Sequence, residues 1–194
     1  MGSCEYATPQ WLIDALTKDI GYPLFELDPC AMYGGPTKCA DLEWTTEGFK
    51  NKIGYILTNN KNTFGYSLIK VDKIETYDDI LEQQTLIKSN LFTWDNPPYS
   101  TKLKTEFVTK DMYNNNGYSL IPASVNSKLF HEIIAPCAKG VFFFEKRISF
   151  IPKGGKEKKG NDRDSMLVVW GDEAYTRLYK ALEKGCIKGN YYEC

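Results

Sequence analysis

The stretch from Leu91 to Lys102 reads LFTWDNPPYSTK, and the reading of its middle decides the fold. Leu91 to Trp94 form an apolar, aromatic run with the composition of a buried strand. Two consecutive prolines follow. Proline lacks the N–H that a sheet ladder needs and restricts the residue before it to extended backbone, so the strand ends at Asp95 or Asn96. The prolines then hold a stiff turn that fixes the Asn96 amide and the Tyr99 ring above the strand's C-terminal end. In open α/β sheets that edge is where ligands bind.

The same device occurs upstream. PLFELDPCA, residues 23–31, reads as a short buried strand closed by Asp28-Pro29. Before it, ATPQWLIDALTKDIGYP predicts a helix with Thr8 as N-cap and Pro9 at the first helical position, ended by Gly21 and Pro23. MYGGPTKCADLEW, residues 32–44, reads as a glycine-bearing loop. Between Lys50 and Asn90 lie two apolar pieces, IGYIL and YSLIKV, around a polar tract, with a helix expected from Tyr77 to Leu86.

After Tyr99, TKLKTEFVTKDMYNNNG suits a helix ending near Asn114 to Gly117, and YSLIPA a buried strand. SKLFHEIIAPCAKG predicts a short helix stopped by Pro136. GVFFFEK and SMLVVWG are strand candidates with RISFI between them. DEAYTRLYKALEKG is an amphipathic helix with Asp172 as N-cap and Gly185 as the residue just past its end. Alternating strands and helices predict an α/β fold of the Rossmann-like kind, with a mainly parallel sheet, helices on both faces and a late antiparallel hairpin at one edge.

At 194 residues the chain fits one domain, 1–194. Hydrophobic residues at 42% and charged residues at 25% are ordinary for a soluble protein, and no apolar run approaches the roughly 20 residues of a membrane span. The start, MGSCEY, has no secretory pattern, and Tyr6 breaks the myristoylation pattern. The six cysteines form no C-x-x-C pair, and with a single histidine, His131, there is no zinc-type spacing. The expectation is a cytoplasmic protein with reduced thiols and no metal. The net charge of −1 conceals one basic stretch from Glu145 to Arg163, where seven basic residues face three acidic ones. By itself such a run is a solvated loop.

An amide held beside an aromatic ring suits a planar substrate with an exocyclic amine. The Asn96 side-chain oxygen accepts one amine hydrogen and the Pro97 carbonyl another, which directs the nitrogen lone pair at an electrophile while Tyr99 stacks on the ring. A base in a duplex cannot enter such a pocket unless it is flipped out or single-stranded. The plainer alternative is that Pro-Pro-Tyr only ends a strand.

NPPY resembles the catalytic motif of amino-methyltransferases that use S-adenosylmethionine, and FELDPCAMYGG resembles their cofactor-holding strand and glycine segment. The ordered set ATPQWLIDAL, ELDPCA, TKCADLEWTTEGF, DNPPYS, LIPASVNSKLFHE, KRISFI and GNDRDSMLVVW resembles, more narrowly, the phage-encoded, Dam-like DNA N6-adenine methyltransferases. The resemblance covers residues 5–49 and 92–171 and leaves about 46–90 as an insertion atypical of the family.

It implies methyl transfer from S-adenosylmethionine to adenine in DNA. Asn96, Pro97, Pro98 and Tyr99 would grip the adenine. Asp28, Pro29 and Cys30 would flank the cofactor, Thr8 and Pro9, with Tyr6 and Ala7 before them, would close over its methionine moiety, and Asn96 would adjoin it. Asp41 or Glu43 either serves the ribose or is only solvated, and Trp44 either stacks on the cofactor's adenine or packs. Arg147, Lys153, Lys156, Lys158 and Lys159 become phosphate contacts, which give affinity with little sequence choice. Cys30, Cys39 and His131 receive no catalytic role. Two other readings stay open: the same chemistry on cytosine, RNA or a protein glutamine, and a non-catalytic nucleic-acid-binding protein on this scaffold.

Overall fold

The computed structural model describes residues 6–32, 35–43, 55–59, 66–70, 91–152 and 163–194. The strands are β1 (Tyr6–Ala7), β2 (Phe25–Asp28), β3 (Ala40–Glu43), β4 (Tyr55–Asn59), β5 (Tyr66–Lys70), β6 (Thr93–Asp95), β7 (Gly117–Pro122), β8 (Gly140–Phe144), β9 (Ile151–Pro152), β10 (Ser165–Trp170) and β11 (Gly189–Glu193). The helices are α1 (Gln10–Ala15), α2 (Thr101–Asn114), α3 (Ala135–Cys137) and α4 (Gly171–Glu183).

Seven strands form one sheet in the order β3-β2-β6-β7-β10-β8-β11. The class is α/β as expected, but the sheet is mixed rather than mainly parallel. β3, β2, β6 and β7 run parallel, while β10 runs against both β7 and β8, and β11 against β8. Parallel neighbours need a long, usually helical crossover. α2 supplies one between β6 and β7, whereas no helix occurs among the described residues between β8 and β10. β11 lies in a tail to which the sequence assigned no element.

Alternate residues feed two cores. Leu167 and Val169 of β10, with Tyr118, Leu120 and Trp94, join Leu12, Ile13 and Leu16 of α1 and Ala174, Leu178 and Ala181 of α4. Met166, Val168 and Trp170 of β10, with Ile121 and Val141, join Val108 of α2 and Leu129 and Ile134. Helices therefore cover both faces, as the sequence pattern expected. Gly117, at φ 146°, begins β7 where any Cβ would lie 2.2 Å from the Thr93 carbonyl oxygen, so only glycine lets β7 meet β6.

Two small sheets stand apart from the seven strands. β1 pairs antiparallel with β9, Tyr6 opposite Pro152 and Ala7 opposite Ile151. The two apolar pieces between Lys50 and Asn90 form an antiparallel hairpin, β4 with β5. The helix expected from Tyr77 to Leu86 lies outside the described residues.

Several local expectations are corrected. Thr8 is not a helix cap: Pro9 holds that position with no side-chain cap, and the Thr8 hydroxyl accepts the Trp94 indole N–H at 3.2 Å. A buried indole N–H needs an acceptor, and Thr8 supplies it. Asp172 is not a cap either. Trp170 precedes the first turn of α4, and Asp172 pairs with Lys139 at 3.1 Å. Gly185 does take the left-handed conformation past the helix end, φ 69°. Residues 40–43 form β3 rather than loop, because they pair with β2. Pro136 does not stop its helix: it sits inside α3, where the preceding turn, Phe130–Ile134, widens to a π-helix. A wider turn accommodates the ring and the missing N–H, and the helix ends at Ala138.

Candidate active site

From β2 the chain proceeds outward to β3 on one side, and from β6 to β7 on the other. β2 and β6 are neighbours, so the sheet changes direction between them and leaves a crevice beyond their C-terminal ends. Those two ends are Asp28-Pro29 and Asp95-Asn96-Pro97, the two proline-closed strand ends. The sequence marked each separately, and the fold sets them side by side.

On the β2 side, Asp28 is 3% exposed, and its Oδ1 accepts the Cys30 backbone N–H at 2.9 Å. This short side-chain bond turns the chain sharply at Pro29. Glu43 ends β3 directly opposite Asp28 in the ladder. Asp41 is exposed, two residues short of that end. Of the two acids considered for a ribose, Glu43 therefore stands at the strand end beside Asp28, and Asp41 lies exposed before it. Position along the strand, rather than side of the sheet, separates the two, since residues i and i+2 point the same way. Trp44 lies outside the described residues.

On the β6 side, the Tyr99 hydroxyl donates to Asn96 Oδ1 at 3.2 Å, and Asn96 Nδ2 donates to the Tyr6 carbonyl at 3.3 Å. Pro97 is buried and Pro98 half-buried beneath them. The Tyr99 ring is 38% exposed and meets Phe150 edge to face at 6.4 Å between centroids. Burial of the hydroxyl raises the Tyr99 pKa, which keeps it a neutral donor. An amide oxygen has two lone pairs, so Asn96 Oδ1 can accept a second donor while holding Tyr99.

Tyr6 and Ala7 thus reach the clamp through the Tyr6 carbonyl, and β1 itself is held by β9. Thr8 is 3% exposed and accepts a hydroxyl from Thr37 at its carbonyl. Together with its bond to Trp94, this makes Thr8 the anchor of the segment. Phe150, in RISFI, is the neighbour that sequence reasoning did not assign to the site.

Lys153, Lys156, Lys158 and Lys159 lie outside the described residues. Arg147 Nε pairs with Asp164 Oδ1 at 2.8 Å. Arg163 neighbours Lys104 of α2, and burial together with that guanidinium lowers the Lys104 pKa. His131 is exposed and packs edge to face on Phe130, away from any of these groups in role.

The sequence had no metal-type spacing, yet the fold brings Asp28, Cys39 and Glu43 together with one ligating atom each within 4.8 Å of the others. Glu43 Oε1 already accepts the Cys39 backbone N–H at 2.9 Å. The two carboxylates are equally the acceptors that ribose hydroxyls or an ammonium group require. Cys30, Cys39, Cys137, Cys186 and Cys194 are free thiols. Among the described residues no helix is long and apolar enough to cross a membrane. No protein family, curated protein or solved structure matches the chain.

Proposed function

We propose that the chain is a Rossmann-like methyltransferase that transfers a methyl group from S-adenosylmethionine to the amino nitrogen of a flipped or single-stranded adenine in DNA. The observation that carries this reading is the Asn96–Tyr99 pair, hydrogen-bonded to each other at the sheet's switch point and next to the carboxylates of Asp28 and Glu43. The donor set fits the cofactor: Asp28 and Glu43 offer acceptors for an ammonium and for ribose hydroxyls, and β1 supplies a strap close to the clamp.

S-adenosylmethionine would supply an electrophilic methyl group on a sulfonium sulfur. Asn96 Oδ1 and the Pro97 carbonyl accept the two amine hydrogens, and the nitrogen lone pair turns out of the ring plane. Tyr99 lies under the base and fixes Asn96. In such a transfer the nitrogen would gain the methyl carbon and the sulfur would keep the electron pair of the bond that breaks. The extra proton on nitrogen leaves to water, so no general base is needed. Orientation and polar preorganisation carry the step. Arg163 and Lys104, with the lysines of residues 153–159 in the sequence, favour a polyanionic partner, to which such cations give salt-dependent affinity.

The test is incubation with S-adenosylmethionine and adenine-unmethylated DNA, then digestion and mass spectrometry for N6-methyladenine. The modified base is expected with the native chain and absent with Asn96→Ala, while calorimetry finds cofactor affinity nearly unchanged in the variant. Cofactor binding without methyladenine would move the reading to another acceptor. Absence of cofactor binding would end it.

A further inference from the structure

Asp95 immediately precedes the clamp, is 0% exposed, and has no hydrogen-bond donor to either carboxyl oxygen. Strand alternation turns it away from the Trp94 core toward α2. There it faces Asp111 of α2, and from the β2 end Cys30 and Asp28 act on it as well. These groups are two further carboxyls and a thiol. Asp111 is 1% exposed and accepts the Ser119 hydroxyl, and Ser119 Oγ accepts the Trp170 indole N–H at 2.8 Å.

We propose that Asp95 is a positioning residue that retains its proton in the folded protein and donates it in a hydrogen bond to Asp111, fixing the strand end from which Asn96 projects. The other bonds in the chain leave room for this. Trp170 donates to Ser119, Ser119 donates to Asp111, and Asp111 can accept again. An ionised Asp95 would be a buried charge facing like charges, at a cost on the order of several kcal/mol. A protonated Asp95 gives its O–H to Asp111 and places no charge beside Asp28.

Burial, then the Asp111 carboxylate, raise the Asp95 pKa well above the carboxylate range. Burial lifts Asp111 to about 7, with the bonds from Ser119 and Asp95 opposing that rise. Above neutrality, then, the charge resides on Asp111 and the proton on Asp95. Loss of that proton at higher pH sets two carboxylates against each other at the base of the clamp. The Asn96 amide then moves relative to Tyr99, and transfer slows although neither acid touches the substrate.

Infrared spectroscopy of the native chain above pH 7 reads the proton directly, without cofactor or DNA. The expected result is a protonated-carboxyl carbonyl band that is absent in Asp95→Asn and shifted in Asp111→Asn. An identical band in native and Asp95→Asn protein would overturn the assignment. The kinetic arm rests on the transfer reading above. Asp95→Asn, which keeps a donor and cannot ionise, retains kcat and loses the alkaline fall in rate. Asp95→Leu lowers kcat by about ten- to a hundredfold at unchanged cofactor KM. An alkaline fall that persists in a folded Asp95→Asn overturns the positioning role. If the native chain transfers nothing, the transfer reading fails, and the infrared band still decides where the proton lies.

Discussion

Two buried ionisable groups lie on opposite faces of the same sheet and are treated in opposite ways. Arg177 of α4, 3% exposed, donates to the Pro23 carbonyl at 3.0 Å and to Glu173 at 2.6 Å. Its guanidinium also lies over the Phe92 ring at 4.0 Å and the Tyr22 ring at 4.7 Å. Only its Nε lacks an acceptor. Asp95, on the α2 face, has no donor and is surrounded by acids. Arg177 cannot lose its charge and must be paired, whereas a carboxyl can be buried by keeping its proton. The difference separates a strut from a group poised beside a site, since unpaired buried polar groups call for a specific explanation.

Substitutions test that contrast in descending order of effect. Arg177→Ala removes packing, two charge-assisted bonds and both ring contacts, and should destabilise by about 3 kcal/mol in denaturant unfolding. A loss below about 1 kcal/mol would mean that the network is decoration. Ser119→Ala leaves the Trp170 N–H and one Asp111 lone pair without partners and should cost about 2 kcal/mol. An unchanged midpoint would show that water replaces the hydroxyl. Asp95→Asn keeps a donor to Asp111 and should alter stability by no more than about 1 kcal/mol. A loss as large as that for Arg177→Ala would mean that Asp95 is ionised and paired after all.

The smallest effect is a slope. Asp111 ionises near the ordinary carboxylate value when unfolded and at about 7 when folded. Between those values the folded state holds the extra proton, so this group's contribution to stability falls as pH rises from about 4 to 7 and levels off above. Native unfolding free energy minus that of Asp111→Asn should decline through that window. A difference that is flat, or that rises, would place Asp111 in its ordinary ionised state.

Much of this arrangement was legible beforehand where covalent geometry decides it. Proline placed the ends of β2 and β6 to within a residue, and apolar runs located β7, β8 and β10. Glycine at 185 marked the end of α4, and Asn96 with Tyr99 stood out as a pair. The caps at Thr8 and Asp172 were misread because tertiary partners, Trp94 and Lys139, compete for the same side chains. β3 was missed because its alternating Ala-Asp-Leu-Glu is only four residues long and sits in a glycine-bearing stretch, where pairing with β2 decides it. Glu43 could not be preferred to Asp41 until the register with Asp28 was known.

The sequence by itself determined where strands must stop and which side chains stand at those stops, because proline and glycine act on the chain within a residue or two. Only the tertiary structure decided that the two stops are neighbours, that half of the sheet runs antiparallel, and that Asp95 lies against Asp111 rather than against a cation. Those outcomes depend on pairing and packing between segments as distant as residues 28, 95, 111 and 170. A one-dimensional pattern of hydrophobicity and charge assigns no partner to any of them.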